Sequence, residues 1–264
     1  MRSSNDMKIV EELTNLLRLT SRDEKHIGYH ILPERLEKLV GSGLAETKHM
    51  FYEQERLEYM KSKIEFKNKN ILDIGCNIGY FLFSFLDIGA SHVCGYEGKS
   101  SCSIFVKRAI ELLNESNRFS LNNKYFDFTE NIPAYDIILL LNVLHHIGDD
   151  YGDGKLSLPG AKNKILDQLN SLSGHTRHLV FQLGFNWKGD IKQCLFEKGT
   201  KEEMIDYILK GTQSHWRPVG IGIPQKVNGK VSYQELNKDN IKRDDSLGEF
   251  LNRPLFILES LAKV

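Results

Sequence analysis

Residues 72–81 read LDIGCNIGYF and continue from an apolar stretch that begins at residue 70. The pattern predicts a buried strand that turns sharply into a helix. Gly75 and Gly79 have no Cβ, so the turn can adopt unusual backbone dihedrals and a ligand can lie against bare peptide. At the carboxyl end of the first strand of an open α/β sheet, such a turn is where nucleotide-like ligands bind.

An acidic residue follows at the spacing that a bound nucleoside requires. Residues 91–97 predict a second strand that ends at Glu97. A carboxylate about 20 residues after a glycine-rich turn can accept hydrogen bonds from the ribose hydroxyls. The loop GCNIG differs from a dinucleotide motif, and Asn77 brings a side chain where a pyrophosphate would need bare backbone. A ligand without phosphates therefore fits better than NAD or FAD, and simple strand-to-helix punctuation is the alternative for the loop alone.

Strands and helices alternate from about residue 69 onward. Strands are expected at residues 70–74, 92–97, 124–126, 135–141 and 178–183, and helices at 80–87, 101–114 and 163–171. Alternation of this kind predicts a parallel sheet with helices on both faces. The run IILLL at residues 137–141 has no polar alternation, as expected of a central strand that is covered on both sides.

The composition narrows the class of protein. The 264 residues contain 35 Lys plus Arg and 35 Asp plus Glu, so the net charge is zero and gives no overall electrostatic attraction for a polyanion. Nucleic acid is therefore a second-choice partner. Four cysteines without a C-x-x-C pair suit reduced thiols in a cytosol and indicate no zinc site. No apolar signal core or membrane-length apolar run is present, which predicts a cytoplasmic protein without membrane insertion.

These motifs resemble those of the class I S-adenosylmethionine-dependent methyltransferases over residues 69–183. In that family, an Asp-x-Gly-x-x-x-Gly loop wraps the amino-acid end of the cofactor, and an acidic residue after the second strand binds the ribose. Asp73, Gly75, Gly79 and Glu97 match, although a middle glycine common in the family is replaced here by asparagine. The resemblance implies a Rossmann-like α/β fold with a seven-stranded, mostly parallel sheet. It also implies S-adenosyl-L-methionine as the cofactor and S-adenosyl-L-homocysteine as the product.

The resemblance implies further cofactor contacts beyond the loop. Asp127 and Phe128 fall where the family places an acidic residue on the adenine amino group and an apolar residue against the ring. Asn142 ends the predicted fourth strand at its active-site end. The implied cofactor residues are Asp73, Gly75, Cys76, Asn77, Gly79, Tyr80, Glu97, Gly98, Asp127, Phe128 and Asn142.

Two adjacent histidines are the candidates for acid–base chemistry. Methyl transfer is an in-line displacement with a neutral leaving group, so the protein supplies mainly proximity and orientation. A hydroxyl or amine acceptor must also lose a proton. His145 and His146 follow the predicted fourth strand, and a neutral imidazole can take a proton near pH 7. The alternative is that one histidine caps the following turn and the other is buried and hydrogen-bonded.

The next loop contains carboxylates that could bind a metal ion. Residues 148–154 read GDDYGDG and offer three carboxylates, but their spacing misses the EF-hand register. An acidic turn without a bound metal is therefore the prediction.

The remaining segments predict the domain organisation. Residues 1–66 are expected to form a helical lid, with helices at 5–20, 33–40 and 45–63, and residues 67–264 to form the methyltransferase core. Within the core, residues 184–250 are expected to shape the acceptor site. In the resembled family, helices before the first strand commonly lie over the cofactor, and the last two strands form an antiparallel hairpin. Thr200 and Glu203 form a capping box that opens another helix.

Acceptor contacts are predicted among polar and aromatic side chains that the sheet does not evidently need, with simple packing as the alternative. The candidates are Tyr52, Arg56, Trp187, His215 and Arg217. Arg217 would give bidentate contacts to an anionic acceptor.

Three hypotheses for the function follow from the resemblance. The first is methyl transfer to an oxygen of a small polar acceptor, because bacterial surface-polysaccharide methyltransferases have a similar loop and helical amino-terminal lid. A sugar, a nucleotide-linked precursor or a phosphoramidate precursor of capsular polysaccharide is the expected acceptor. The second is a transfer RNA modification enzyme, since wobble-uridine carboxymethyl transferases have a comparable loop. The third is a non-catalytic regulatory subunit of the same fold.

Overall fold

The structure is a computed structural model that describes residues 3–20, 31–41 and 52–262. The chain divides into two compact units. The first consists of Met1–Glu53 and Phe66–Phe126, and the second of Gln54–Glu65 and Asp127–Val264.

Among the described residues, three helices precede the first strand. They are α1 (Ser4–Thr20), α2 (Glu34–Val40) and α3 (Glu53–Lys63). The predicted third helix begins earlier, at residue 45, and that part of the prediction lies outside the described residues.

The first unit contains three parallel strands and two further helices. In chain order these are β1 (Asn70–Ile74), α4 (Tyr80–Ile88), β2 (His92–Tyr96), α5 (Ser100–Leu113) and β3 (Phe119–Asn122). The strands lie in the order β3-β2-β1, with Leu72 of β1 opposite Cys94 of β2. Helix α4 is apolar on all sides and its first seven residues are buried, which is expected of a helix inside a core.

The third strand lies at Phe119–Asn122, so the predicted strand at residues 124–126 is wrong. Of the four residues in β3 only Phe119 is buried, because the strand pairs with β2 alone within this unit. Its sequence therefore lacks the apolar run that marks the other strands. Phe126 lies beyond the strand and packs edge-on against Tyr96, with ring centroids 4.9 Å apart.

The first two helices pack within the first unit. Leu13 of α1 is fully buried, and α1 contacts both α5 and α2. Glu12 pairs with Arg108 of α5 at 2.9 Å, which adds an ion pair to the apolar contact. These contacts explain how α1 is held, while its predicted role as a lid stays a prediction.

The second unit contains five strands. These are β4 (Tyr135–Leu141), β5 (Thr176–Gln182), β6 (Trp216–Val227), β7 (Lys230–Glu235) and β8 (Leu255–Ser260), in the order β4-β5-β8-β6-β7. Strands β4 and β5 are parallel, and the other pairs are antiparallel. The predicted run at residues 137–141 is buried throughout, as its composition indicates.

The described residues form eight strands, three in the first unit and five in the second, so the predicted number of seven is wrong. The prediction lacks β7, which forms an antiparallel hairpin with β6. The connecting residues Asn228 and Gly229 both have positive φ, 51° and 80°. Two such residues are characteristic of a type I′ turn, and Asn-Gly is a strong sequence signal for it. The hairpin could therefore have been predicted from this dipeptide.

Helices α6 (Leu158–Ser171) and α7 (Lys201–Thr212) belong to the second unit. The Thr200 half of the predicted capping box of α7 is confirmed, because the Thr200 hydroxyl oxygen accepts a hydrogen bond from the Glu203 amide at 3.2 Å. The Glu203 half differs from the prediction. The Glu203 carboxylate accepts from the amides of Glu197 and Lys198, at 2.9 and 2.7 Å. It thereby holds the segment before the helix against the first turn.

Most of α3 also belongs to the second unit. The Tyr59 ring lies against Gly220 and Gly222 of β6, and a Cβ at Gly222 would come within 2.6 Å of that ring. The Tyr59 hydroxyl donates to Glu235 of β7 at 3.0 Å. Within residues 3–20, 31–41 and 52–262, none of the helices combines the length and apolar character needed to cross a bilayer.

Candidate functional site

The turn after β1 has three residues in the left-handed region. Gly75, Asn77 and Gly79 have φ values of 78°, 53° and 81°. Glycine adopts this conformation without steric cost, and asparagine is one of the few other residues that visit it routinely. The residue that replaces the common middle glycine is therefore compatible with a glycine-like backbone.

The Glu97 carboxylate fixes this turn to the end of β2. Its Oε2 accepts a hydrogen bond from the Asn77 amide and its Oε1 from the Lys99 amide, both at 2.7 Å. An ionised carboxylate has about four lone-pair positions, so each oxygen can accept a second bond. Glu97 is half-buried. This geometry suits a ribose diol, and the assignment of that contact stays a prediction.

The Asn77 side chain braces the turn internally. Its Oδ1 accepts from the Ile78 amide at 2.8 Å and from the Cys102 thiol of α5 at 3.9 Å. These contacts connect the turn to the start of α4 and to α5.

The other predicted loop residues are mostly buried. Asp73 and Cys76 are almost fully buried, and burial, followed by the nearby charges of Asp73 and Glu97, raises the pKa of the Cys76 thiol. That thiol stays protonated and unreactive at neutral pH. Tyr80 begins α4 and is also buried, whereas Gly98 is half-buried beside Glu97. The first unit thus brings together all eight predicted cofactor residues between 73 and 98.

Asp127 and Phe128, the predicted adenine contacts, begin the second unit. Asp127 is exposed, and its Oδ1 accepts from both the amide and the hydroxyl of Thr129, at 2.9 and 2.7 Å. Phe128 is half-buried, with its ring centroid 6.0 Å from that of Tyr151. Their role toward adenine stays a prediction.

Asn142 follows β4 and has a φ of 60°. Its side-chain amide donates to Gln182 Oε1 at 3.0 Å, and its side-chain carbonyl accepts from Arg253 Nη1 at 2.8 Å. Both polar atoms of this side chain are therefore engaged by the protein. A short 3₁₀ turn, Leu144–His146, comes next in the chain.

His145 is buried against the backbone. Its Nδ1 accepts a hydrogen bond from the Gly184 amide at 3.3 Å, and a Cβ on Gly184 would lie only 2.9 Å from the ring. Burial, followed by the charges of His146 and Arg253, lowers the pKa of the imidazole well below its usual value. The hydrogen-bond pattern assigns the neutral tautomer with hydrogen on Nε2. In that state neither ring nitrogen is suited to take a proton from a ligand.

His146 has a different environment. It is half-buried, and its Nδ1 lies 3.4 Å from Oδ2 of Asp150, one helical turn along the chain. This separation is an ion-pair contact rather than a hydrogen bond, so the carboxylate acts on the ring through its charge, which favours hydrogen on Nδ1 and a lone pair on Nε2. The two imidazole centroids are 4.2 Å apart. Adjacent histidines in the sequence thus receive unlike chemistry from their surroundings.

His146, Asp149 and Asp150 place ligand-type atoms within 4.8 Å of one another. Among the residues that the structure describes, this is the one group of three such side chains at metal-ligand spacing. Exposed carboxylates on a turn commonly occur without a metal, and the predicted absence of a metal stays a prediction.

The predicted acceptor residues fall into different places. Arg56 is fully buried, with Nη1 3.4 Å from Gln182 Oε1, and its guanidinium lies 5.4 Å from the Phe250 ring centre. Trp187 is buried and donates from its indole nitrogen to the Ile147 carbonyl at 2.7 Å, so it anchors the turn after the histidines.

The other three acceptor candidates are more accessible. Tyr52 is half-buried, whereas His215 and Arg217 are exposed. Arg217 forms an ion pair with Glu259 of β8. Arg56 therefore contacts Gln182, the residue that also accepts a hydrogen bond from Asn142. Arg217 is not part of this group, because it pairs with the Glu259 carboxylate.

The sequence analysis does not single out four residues whose side chains form hydrogen bonds or ion pairs within the second unit. They are Asp150, Gln182, Glu249 and Arg253. The i,i+4 spacing of Glu249 and Arg253 is a sequence signal for an ion pair, but it does not show what the pair holds.

This chain matches a known protein family. A family model described as a methyltransferase domain matches residues 47–191, more than half of the chain. The chain belongs to this family.

Curated relatives match a smaller part. The tRNA U34 carboxymethyltransferase of Nautilia profundicola is 30% identical over 94 residues, which cover 34% of this chain and 30% of the relative. The enzyme of the same name from Helicobacter acinonychis is 30% identical over 95 residues, covering 34% and 35%. The match thus spans about a third of the length of these relatives.

Solved structures show the fold. The bifunctional kinase–methyltransferase WbdD is similar with a TM-score of 0.53 at 16% identity, covering 92% of this chain and 46% of that one. Magnesium protoporphyrin IX methyltransferase from Synechocystis PCC 6803, solved with bound S-adenosylmethionine, has a TM-score of 0.50 at 13% identity, covering 98% of both chains.

The environment of His145 predicts a pH-dependent stability. Its folded-state pKa is lowered, so below about pH 6.5 the unfolded state binds a proton that the folded state rejects. Stability should therefore fall as pH decreases through that range, by at most about 1.4 kcal/mol per pH unit from this group. His145→Asn, whose Oδ1 can still accept from the Gly184 amide, should lose this component. Urea unfolding at about pH 7.5 and about pH 5.5 measures it.

The exposed His215 offers the matched control, His215→Asn. An equal pH dependence in wild type and His145→Asn would show that His145 is not held neutral by the fold.

Proposed function

We propose that this protein is an S-adenosyl-L-methionine-dependent methyltransferase that methylates an oxygen of a small polar acceptor. The family match supports the reaction class. The observation that carries the proposal is the Asp150–His146 pair, because a hydroxyl acceptor has to lose a proton as it becomes the nucleophile. An amine acceptor would also lose a proton, so the choice of oxygen rests on the resemblance to surface-polysaccharide methyltransferases.

S-adenosyl-L-methionine is the cofactor that the family and the loop support. The turn after β1 matches the family motif at Asp73, Gly75 and Gly79, and its left-handed residues bring backbone close to any ligand seated there. The Glu97 carboxylate is held by two backbone amides and stands at the sequence position where the family motif has its ribose acceptor. The residues present therefore fit the cofactor. When bound, it supplies the methyl group and leaves as a neutral thioether.

The protein's own contribution to the chemistry is orientation and proton transfer. His146 takes the hydroxyl proton on Nε2, and Asp150 keeps the ring in the tautomer that allows this and stabilises the resulting imidazolium. His145 supports the turn through the Gly184 amide and remains neutral. The acceptor oxygen gains nucleophilicity as the proton leaves, which is worth about 10²- to 10⁴-fold in comparable reactions.

The proposed acceptor is a sugar, a nucleotide-linked precursor or a phosphoramidate precursor of capsular polysaccharide. Support comes from the resemblance of the GCNIGYF loop and the preceding helices to bacterial surface-polysaccharide methyltransferases. The balance of 35 basic and 35 acidic residues also favours a small molecule over a polyanion. Tyr52, Arg56, Trp187, His215 and Arg217 stay the proposed acceptor contacts.

A transfer RNA substrate is the second candidate. The observation in its favour is the 30% identity with tRNA U34 carboxymethyltransferases over about a third of the chain. Salt titration separates the two candidates, because RNA binding through phosphates weakens steeply as salt rises, with a log–log slope near −0.7 for each single-strand contact.

The experiment that tests the function is a product screen. Cofactor with a trideuterated methyl group is incubated with the purified chain and with libraries of sugars, nucleotide sugars and total tRNA. Mass spectrometry then locates the label. Label on a hydroxyl of a small molecule supports the proposal, and no label with any class contradicts the methyl-transfer assignment. A carboxymethyl transfer carries no trideuterated methyl label, so a parallel reaction supplies tRNA with a carboxymethyl sulfonium donor, and a carboxymethyl group found on tRNA supports the second candidate.

The base assignment predicts unequal effects of two neighbouring substitutions. His146→Asn should lower kcat by about 10²- to 10⁴-fold, with binding of S-adenosylhomocysteine unchanged, because it removes the proton acceptor. Asp150→Asn should lower kcat in the same direction by a smaller factor. His145→Asn serves as the matched control and should keep most of the turnover. If His145→Asn abolishes turnover and His146→Asn does not, the assignment is reversed.

The cofactor assignment predicts a loss of affinity in Glu97→Ala. Removing the carboxylate deletes two ribose contacts and leaves the amides of Asn77 and Lys99 without their acceptor. Binding of S-adenosylhomocysteine should weaken by about 1.5 to 3 kcal/mol, as measured by calorimetry. Glu111→Ala, on the exposed side of α5, is the control. A folded Glu97→Ala protein with wild-type affinity would contradict the contact.

A further inference from the structure

We infer that Arg253 is a positioning residue of the proposed active site. Held by Glu249, it fixes the Asn142 side chain at the end of β4 and so the turn that carries His145 and His146. The inference rests on the proposed function in treating this turn as catalytic.

The side chains of Asn142, Gln182 and Arg253 form a ring of hydrogen bonds that is closed through the backbone carbonyl of Arg253. Asn142 Nδ2 donates to Gln182 Oε1 at 3.0 Å, Gln182 Nε2 donates to the Arg253 carbonyl at 3.2 Å, and Arg253 Nη1 donates to Asn142 Oδ1 at 2.8 Å. Each partner's donor meets an acceptor. A flipped Asn142 amide would place donors against the guanidinium, so the ring permits one orientation of that side chain.

The Glu249 carboxylate orients the guanidinium. Arg253 Nε lies 3.0 and 2.9 Å from its two oxygens, and Arg253 Nη2 also donates to Oε2. Glu249 Oε1 accepts in addition from the Phe185 amide at 2.9 Å, just beyond β5. The Arg253 side chain is only 16% exposed, so solvent competes little for these bonds. With Nε and Nη2 directed at Glu249, Nη1 remains aimed at Asn142.

The position of Asn142 connects this ring of hydrogen bonds to the turn that carries the two histidines. Its amide continues the pairing with β5 by donating to the Gln182 carbonyl at 2.8 Å, and its left-handed φ of 60° then redirects the chain into the 3₁₀ turn. The His146 amide closes that turn by donating to the Val143 carbonyl at 3.0 Å. Holding Asn142 from its side chain therefore fixes where the turn leaves the strand.

A second observation places Arg253 beside the turn. Its positive charge contributes to lowering the pKa of His145, after burial and the charge of His146. Arg253 thus acts on Asn142 through a hydrogen bond and on His145 through its charge.

Three variants separate the bonds from packing and charge. Arg253→Met keeps the aliphatic stem, Arg253→Lys keeps the charge without the planar fork, and Glu249→Gln weakens the clamp. The matched control is Arg243→Met. Like the Arg253 guanidinium, which lies over the Phe250 ring, the Arg243 guanidinium lies over a phenylalanine ring, 5.0 Å from the centre of Phe185, and pairs with a nearby carboxylate.

Hydrogen exchange followed by NMR on the full chain gives a readout that needs no acceptor. In Arg253→Met the amides of His146 and Ile147 should exchange about tenfold faster or more, because the loss of a charged hydrogen bond frees the strand end. Amides in the middle of β8 should keep their protection, and Arg243→Met should leave the turn unchanged. Arg253→Lys and Glu249→Gln should give intermediate rates.

Unchanged exchange at the turn in Arg253→Met, or an equal acceleration in β8, would overturn the inference, since the residue would then be neutral or merely stabilising. With a labelled acceptor, kcat should fall about tenfold or more while the KM for the cofactor stays constant. Failure of the proposed function appears separately, as absence of S-adenosylhomocysteine binding and of product in the wild type. The exchange result is independent of both.

Discussion

The proposed cofactor site depends on one interaction, in which the Glu97 carboxylate accepts hydrogen bonds from two backbone amides. By accepting hydrogen bonds from the amide of Asn77, in the turn after β1, and from the amide of Lys99, which precedes α5, the carboxylate connects the turn to the end of β2 across 20 residues of chain. The turn can be this tight only because three of its residues adopt left-handed dihedrals. A carboxylate held in this way would not have to reorganise in order to accept the ribose hydroxyls that we propose as its ligands, and this would lower the cost of binding.

The second unit shows how surroundings assign different chemistry to identical neighbours. Burial and a backbone donor favour a neutral His145, whereas the Asp150 carboxylate lies 3.4 Å from His146 Nδ1, the contact on which the proposed role of His146 as the base rests. Neither arrangement stands alone, because the turn that carries both leaves β4 through Asn142. The ring of Asn142, Gln182 and Arg253 therefore connects the end of the sheet to the proposed chemistry.

Sequence predicted the parts of the fold that depend on local pattern. The bounds of β1 and β4 agree with the prediction because apolar residues dominate both strands, with Ile71, Leu72 and Ile74 in β1 and the run at residues 137–141 in β4. β3 was misplaced because a strand paired on one side carries little apolar signal, and the hairpin of β6 and β7 was missed despite its Asn-Gly turn. The loop residues could be named from motif spacing. The choice between the two histidines could not, because it depends on Gly184 and Arg253, which are distant in sequence.

The most direct test of the central claim is a crystal structure of the chain with S-adenosylhomocysteine. The account predicts both ribose hydroxyls within about 2.6 to 3.2 Å of the Glu97 oxygens, with the amides of Asn77 and Lys99 still donating to the same carboxylate. A ligand bound with its ribose away from Glu97, or a turn that releases the carboxylate in order to bind, would contradict it.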